Sequence, residues 1–472
     1  MTALVPPSPY FLEIPFVPPA AYAARVAHLP YCLLLDSPAA HGGRYAYLAF
    51  SPRHVLMERE GDIYADNTIV SEDIFTYLKN IQASHAITPL PFLPPFQTGW
   101  AGYIGYDYNV LQVSLNTNIN DQPHPTVTLC FYDIITAFDM QEQRAWVVAH
   151  PSVENAPVKL EETARRFAEE HPLDSCGVYP REGGGGNGTR LEGLVLQPDL
   201  PPVDYHTAVE KTLAYIRAGD MYQANIAQRF SGTLPEELHQ DGAALFELYE
   251  QIIPLNPAPY SAFFHTPDVS LLSYSPEQFL QVRGNTLTTR PIKGTVPRLA
   301  DASLDKKQQD ALLSSSKNRA ENLMIVDLLR NDLSRVCVAG SVKVEKLYAL
   351  ETFSSVHHLV STVLGRLSEG NTAVDALRHA FPGGSITGAP KIRAMEIIDE
   401  LETYKRNSYC GTLFYLGCDG SMDSSILIRT LVITAGKMTL HAGCGIVADS
   451  DPAAEYAESL AKARVFLDFF KN

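Results

Sequence analysis

Several features that identify protein classes are missing from this chain of 472 residues. Its seven cysteines (Cys32, Cys130, Cys176, Cys337, Cys410, Cys418 and Cys444) are scattered, odd in number and form no CxxC pair. A disulfide framework or a structural zinc centre is therefore not expected. Positive charge is scarce: Lys+Arg number 37 against Asp+Glu 53, for a net charge of -16. A nucleic-acid partner needs clustered cations, so none is expected. No apolar run reaches the roughly 20 residues that cross a bilayer. The opening segment MTALVPPSPYFLEIPF also lacks a basic stretch followed by an apolar one. The expectation is a cytoplasmic protein without membrane contact. The acidity sets one condition: an anionic substrate would need local cations or a metal to overcome the surrounding field.

What is present is ordinary globular material, 46% hydrophobic and 19% charged, and long enough for two domains or one large body. No internal repeat is visible. Residues 1–180 read as strands and turns, with short strands at 45–48 and 55–57 and a helix at 160–170. Strands at 127–137 and 145–148 are expected to form a hairpin. Residues 181–190 hold so much glycine that a linker or loop is expected. This segment lacks the Lys-Ser/Thr of a phosphate-binding loop and no apolar strand feeds it.

Beyond it, residues 204–218 have helical periodicity, with Asp204 as N-cap. Strands follow at 221–230, 260–264, 279–282, 287–290, 413–416, 426–432 and 438–441. Helices are expected at 318–336, 373–380, 391–402 and 453–470. Strands and helices do not alternate one for one, which favours an α+β sandwich over a doubly wound sheet.

Four segments have chemical potential. In the first, Lys293 lies between β-like residues and a Gly-Thr turn, sixteen residues after Glu277. A hairpin would bring the two together. Lowered in pKa, such a lysine is a nucleophile, and the glutamate is a proton donor and acceptor. The same spacing equally fits a surface ion pair. In the second, the apolar helix around 318–336 carries Asn318 and Glu321 on one face, while Asp327, Arg330 and Asn331 form a structural cluster. In the third, Asp451-Pro452 opens a helix with Glu455 and Glu458 three apart. Two helices bearing carboxylates suit magnesium, although solvated faces look the same. In the fourth, the glycine-rich turn through Ser385, Thr387 and Gly388 opens a helix and presents backbone N–H groups to an anion. Gly443-Cys444-Gly445 offers similar access without the following helix that a nucleophilic elbow needs. His357 and His358 are adjacent on a strand, so at most one faces a site. The Tyr222–Asn225 run and the Gly99–Tyr103 run read as packing.

Together these segments resemble the chorismate-utilising enzymes, the family of anthranilate, aminodeoxychorismate, isochorismate and salicylate synthases. The match runs over residues 204–466. It rests on GDMYQANIAQRF, SPEQF, TRPIKGT, AENLMIVDLLRNDLSRV, HHLVST, FPGGSITGAPKIRAMEIIDELE and HAGCGIVADSDPAAEYAE in that order. The resemblance implies two large antiparallel sheets packed orthogonally with outer helices. Residues 1–180 and the chorismate-binding catalytic part, 191–472, would then interleave in one body. It implies that Lys293, in PIKGT, is the covalent nucleophile of the branch that aminates chorismate at C4, where anthranilate synthases carry alanine. It also implies that Glu277 is the general acid/base and that His358 faces the site. Glu321 and Glu458 would ligate Mg2+, with Glu455 holding metal-bound water. Arg429 would grip the enolpyruvyl carboxylate, with Tyr409, Ser385, Gly388 and Gly443 as further substrate contacts. Gln223 stands where water-adding relatives carry a lysine base, which points to ammonia as the nucleophile. Asn318 replaces a carboxylate usual in relatives, so weaker magnesium binding is expected. Nothing in the chain resembles a glutaminase, so ammonia is expected from a glutamine amidotransferase partner. The family's N-terminal lobe can hold an aromatic amino acid between its sheets, near 33–37 in this chain.

Overall fold

The computed structural model describes residues 6–37, 43–108, 119–168, 194–353 and 356–471. The expected linker at 181–190 lies outside them. The described strands form two antiparallel twelve-stranded sheets. The first runs, in spatial order, through Tyr10–Ile14, Arg144–Ala149, Ile134–Asp139, Tyr45–Ala49, Cys32–Asp36, Tyr260–His265, Ser270–Ser275, Thr430–Thr434, Lys437–Ile446 and Gln223–Thr233 to Gln197–Pro198. The second runs through Ile292–Pro297, Val356–Arg366, Thr286–Arg290, Gln278–Arg283, Met422–Ile426, Thr412–Gly417, Gly99–Ile104, Val127–Tyr132 and His54–Arg59 to the Asp62–Val70 hairpin. Both sheets therefore draw strands from either side of residues 181–190.

Apolar side chains explain the layering. Leu33, Tyr47, Trp146, Phe264 and Leu271 of the first sheet meet Tyr103, Tyr132, Leu413 and Tyr415 of the second in one buried cluster. The outer face of the first sheet packs under helices that include Gly242–Ile252 and Pro452–Phe469. Helices Ile74–Ser84, Ser316–Ser334 and Ala373–Ala380 cover the second sheet. A fourth cluster joins helices Pro202–Ala218 and Lys391–Leu401 to the strands Gln223–Thr233 and Lys437–Ile446. Central strands are buried on both faces, so they read as apolar runs and not as alternations. Each fully buried Leu or Phe contributes about 1.5–3 kcal/mol relative to exposure. Among the described residues no helix is long and apolar enough to cross a membrane.

Three expectations need correction. The run 127–137 is two strands, because the chain leaves the second sheet at Tyr132 and joins the first at Ile134. The hairpin with Arg144–Ala149 involves only the later one. The run 426–432 divides likewise: Met422–Ile426 belongs to the second sheet and Thr430–Thr434 to the first. β-rich sequence continues through such a crossing because both strands are buried, so composition hides the break. Asp204 lies in the first turn of its helix and is not the N-cap, which is Pro201 followed by Pro202 at N1. A proline there costs no hydrogen bond and pre-sets φ, so the helix starts earlier than the periodicity suggests.

Candidate active site

Two sheet-to-sheet crossings create the site. One carries Glu277 between Ser270–Ser275 and Gln278–Arg283, and the other carries Arg429 between Met422–Ile426 and Thr430–Thr434. They are tied together: the Ser275 hydroxyl donates to Ile426 O at 2.6 Å, Ile426 N to Glu277 O at 3.1 Å and Tyr274 N to Arg429 O at 3.1 Å. The Glu277 carboxylate and the Arg429 guanidinium are thus carried by one hydrogen-bonded corner.

Lys293 reaches this corner from a bulge. The pairing of Ile292–Pro297 with Val356–Arg366 shifts register between Ile292 and Thr295, so Lys293 and Gly294 stand out of the ladder. Bulges re-aim side chains in this way. Gly294 has φ of 90°, and a Cβ there would lie 2.9 Å from Leu312 and 3.1 Å from Asn318, so only glycine fits after the lysine. Lys293 Nζ donates to Ser385 O at 3.4 Å. Burial lowers the pKa of Lys293, partly offset by the Glu277, Glu321 and Glu458 carboxylates. Burial raises that of Glu277, with Lys293, Ser385 and the Ile292 backbone pulling it back. The two values move toward each other, because burial disfavours the charged form of both groups. The surface ion pair is not what the structure contains.

Around this pair, the bulge pairs Thr295 with His358, and the Thr295 hydroxyl lies 2.8 Å from His358 Nδ1. Burial first, then Arg429 and His357, lowers the pKa of His358 to about 4, so the imidazole is neutral at physiological pH. His357 points the other way, with Nε2 2.9 Å from Asp305. Glu321 projects from Ser316–Ser334, its carboxyl raised chiefly by burial and then by Glu458 and Glu455, against Lys293 and Lys317. Asn318 lies against Gly294, beside the lysine. The expected cluster on the same helix reduces to an exposed Arg330–Asp327 ion pair of 2.7 Å.

On the C-terminal helix, donor atoms of Glu455, Glu458 and Cys444 lie within 4.8 Å of one another. Asp451 caps this helix through Ala454 N, as its sequence suggests. Glu455 accepts from the Ser450 hydroxyl at 2.6 Å, and Glu458 pairs with Lys462 at 2.9 Å. Burial would raise the Glu458 carboxyl, but Lys462 outweighs it and holds the group below its ordinary value. The Cys444 thiol is pushed up to about 12 by burial, so it stays protonated and is no nucleophile. Glu455 and Glu458 offer the oxygen donors that a hard divalent cation such as Mg2+ prefers, and sulfur suits it poorly; Glu321, on Ser316–Ser334, is close enough to feel both carboxylates but is not in that group of donor atoms.

Arg429 is half-buried and differs from the buried arginines Arg229 and Arg406. Arg229 pairs with Asp121 and Asp199, and Arg406 with Glu402. Among the described residues Arg429 has no carboxylate partner, only Asn256 Oδ1 at 3.3 Å from Nη1. In so acidic a chain, a half-buried guanidinium with no carboxylate partner among the described residues is free to pair with an anion. The remaining expected contacts divide. Ser385 touches both Lys293 and Glu277. Tyr409 is buried, stacked on His441 with centroids 5.0 Å apart. Gln223 is fully buried, and among the described residues its two amide atoms and Asn225 Nδ2 have no hydrogen-bond partner. Tyr222 before them is 74% exposed. Gly388 and Gly443 are set by close backbone approach: a Cβ at Gly388 would lie 2.1 Å from Gln223 O, and one at Gly443 2.6 Å from Ile226 O.

Two groups escaped the sequence reasoning. Lys462 donates to Gly443 O at 2.9 Å and to Glu458, and its four-residue spacing from Glu458 was the available signal. Arg406 joins Glu402, Ile386 O and Asn225 O beneath the site, and no local pattern announces that. A cavity of about 630 Å³ is lined by residues of both sheets, among them Leu35, Asp36, Tyr47, Arg283, Tyr415 and Asp423. It includes the end of the 33–37 segment, and its rim reaches Pro276 and Ile292, next to Glu277 and Lys293.

Comparison with known proteins yields consistent similarities. The family described as chorismate binding enzyme matches residues 30–468. Aminodeoxychorismate synthase component 1 of Salmonella typhimurium is 40% identical over 479 residues, covering 98% of this chain and 99% of the relative. The Escherichia coli protein of that name is 39% identical, covering 94% of each. The crystal structure of anthranilate synthase component I from Streptococcus pneumoniae superimposes with a TM-score of 0.77 at 31% identity, covering 91% of this chain and 93% of that one.

Proposed function

The chain belongs to the chorismate-binding enzyme family, and from that premise we propose that it aminates chorismate to 4-amino-4-deoxychorismate. It would serve as the synthase component for 4-aminobenzoate and folate synthesis, in the cytoplasm. The full-length relatives named aminodeoxychorismate synthase component 1 support this reading. The observation that carries it is the Lys293–Glu277 pair, both perturbed by burial, together with an Arg429 that has no carboxylate partner among the described residues.

Arg429 receives the enolpyruvyl carboxylate, which orients the ring over Lys293. The neutral Lys293 amine attacks C2 while both ring double bonds shift and the C4 hydroxyl leaves, protonated by Glu277. Ammonia then attacks C4, the double bonds shift back, and the C2–N bond to Lys293 breaks. The Glu277 carboxylate takes the proton that the new amine releases. Neutral His358 and Tyr409 line the pocket without adding charge. Glu321 and Glu458, with Glu455, would hold Mg2+, which supplies positive charge for the ring carboxylate in this acidic protein. Ammonia comes from a glutamine amidotransferase partner, in keeping with the "component 1" in the relatives' names.

The second reading is anthranilate synthase component I, favoured by the structural likeness; Lys293 opposes it. A catalytically silent, ligand-binding regulatory subunit has no need for this set of side chains. The test is product identification by chromatography and mass spectrometry after incubation with chorismate, Mg2+ and excess ammonium. Aminodeoxychorismate is expected, convertible to 4-aminobenzoate by an added lyase. Anthranilate in its place would transfer the chain to the second reading and remove the role of Lys293. No product, even with an added amidotransferase, would leave the silent subunit.

A further inference from the structure

Asn256 lies just after helix Gly242–Ile252, its backbone N–H bonded to Ile252 O at 3.1 Å. Its side chain is 7% exposed. Oδ1 accepts from Arg429 Nη1, which fixes the orientation of the amide: the oxygen faces the cation and the NH2 is turned away. That Nδ2 is buried and has no partner among the described residues. A buried amide donor without an acceptor is unfavourable, and beside it stands a half-buried guanidinium with no carboxylate partner among the described residues; the two call for one explanation. A single carboxylate answers it. One oxygen would accept from the guanidinium and the other from the amide, and neither protein group would remain unsatisfied.

We propose that Asn256 is a substrate-binding residue whose Nδ2 donates to the carboxylate received by Arg429, the two forming a carboxylate-binding dyad. The inference rests on the proposed function, in which that carboxylate belongs to the enolpyruvyl arm of chorismate. The dyad recognises the arm and not the ring, so it is a determinant of specificity for substrates bearing a second carboxylate.

Direct binding by calorimetry on the full chain with Mg2+ and without ammonia tests this, using chorismate and 4-hydroxybenzoate as probes. The latter has the ring carboxylate and the hydroxyl but no enolpyruvyl arm. Asn256→Leu, close in volume, is expected to weaken chorismate binding about tenfold and leave 4-hydroxybenzoate unchanged. Asn256→Asp, which pairs with Arg429 and repels the carboxylate, should weaken chorismate further. Unaltered chorismate affinity in Asn256→Leu would overturn the proposal. So would equal weakening of both probes, because that reports general damage. If the unsubstituted chain itself failed to bind chorismate, the functional reading would fall and the dyad with it.

Discussion

Replacing Arg406 by leucine should cost this protein a large share of its stability and, separately, its turnover. The guanidinium donates to Glu402 through Nε at 2.8 Å and Nη2 at 2.6 Å, to Asn225 O at 2.6 Å and to Ile386 O at 3.0 Å. It also sits over the Tyr106 ring, 4.7 Å from the centroid. The side chains of Arg406 and Glu402 are 2% and 6% exposed, so water cannot replace these partners. Removing one member of a buried pair leaves the other charge uncompensated, at about 3–5 kcal/mol. Two carbonyls also lose their donor, although such losses are not additive. Against a net stability of about 5–15 kcal/mol for a folded domain, 3–5 kcal/mol is a large fraction. The assay is equilibrium urea unfolding followed by Trp100 and Trp146, both buried, one in each sheet. Coincident transitions from the two probes would license a single free energy. Arg406→Leu with Glu402→Leu should recover part of the loss, because the stranded carboxylate is gone. Ile386 adjoins Ser385, whose carbonyl receives Lys293, so turnover should fall even where the variant is fully folded. Arg406→Lys keeps the charge but not the forked geometry and should show the kinetic loss more clearly than the thermodynamic one. A loss below about 1 kcal/mol for Arg406→Leu, within the range of an exposed pair, would refute the argument that this hub is dry and tightly coupled.

The pH profile of kcat/KM should have its limbs displaced toward neutrality, since burial raises Glu277 and lowers Lys293. Activity requires neutral Lys293 and protonated Glu277, so it rises as the lysine loses its proton and falls as the glutamate does. Limbs at the ordinary values of about 4.3 and 10.4 would refute that electrostatic account, and retained amination by Lys293→Ala would refute the covalent one. Glu458→Gln should raise the magnesium requirement about tenfold or more, read by titrating Mg2+ into the amination assay; an unchanged requirement removes Glu458 from the metal site. Asn318→Asp should do the reverse, tightening magnesium. Because Asn318 lies against Gly294, it should also move the lysine limb to higher pH, and a profile without that movement would place Asn318 too far from the amine to matter.

The site's parts were unequally legible, and the reason is the distance in sequence over which each is assembled. The helices bearing Glu321 and Glu458 could be drawn from periodicity and from the Asp451-Pro452 cap, yet spacing alone left their carboxylates indistinguishable from solvated faces. Only the ordered motif strings singled them out. The Lys293–Glu277 hairpin was within reach because Gln278–Arg283 and Thr286–Arg290 are neighbours in sequence and in the sheet. The bulge that turns Lys293 inward was not, since it arises from pairing with Val356–Arg366, more than sixty residues away. The crossings were the hardest feature to see. A strand buried on both faces has no alternation to interrupt, so the passages through Asp133 and through Ile428-Arg429 look like continuous β-sequence.

Those crossings also explain why the site sits where it does. Most of a sheet's backbone groups are consumed by its own ladder, leaving no polar surface for a ligand. Where a strand leaves one sheet for the other the ladder ends, and side chains can be held at fixed positions without occupying the core. Arg429 adopts φ of 50° there, a conformation uncommon for a residue with a side chain. Glu277 occupies the adjoining crossing, bonded to the same strand end through Ile426 N. Glu277 and Arg429 are therefore displaced together by a change in how the two sheets pack. A core substitution between the sheets, such as Leu427→Ala beside Arg429, should lower both chorismate affinity and turnover while leaving the C-terminal helix carboxylates and the magnesium requirement unchanged. Loss of magnesium affinity in that variant would mean that the proposed metal-binding carboxylates move with the crossings, contrary to their placement on outer helices.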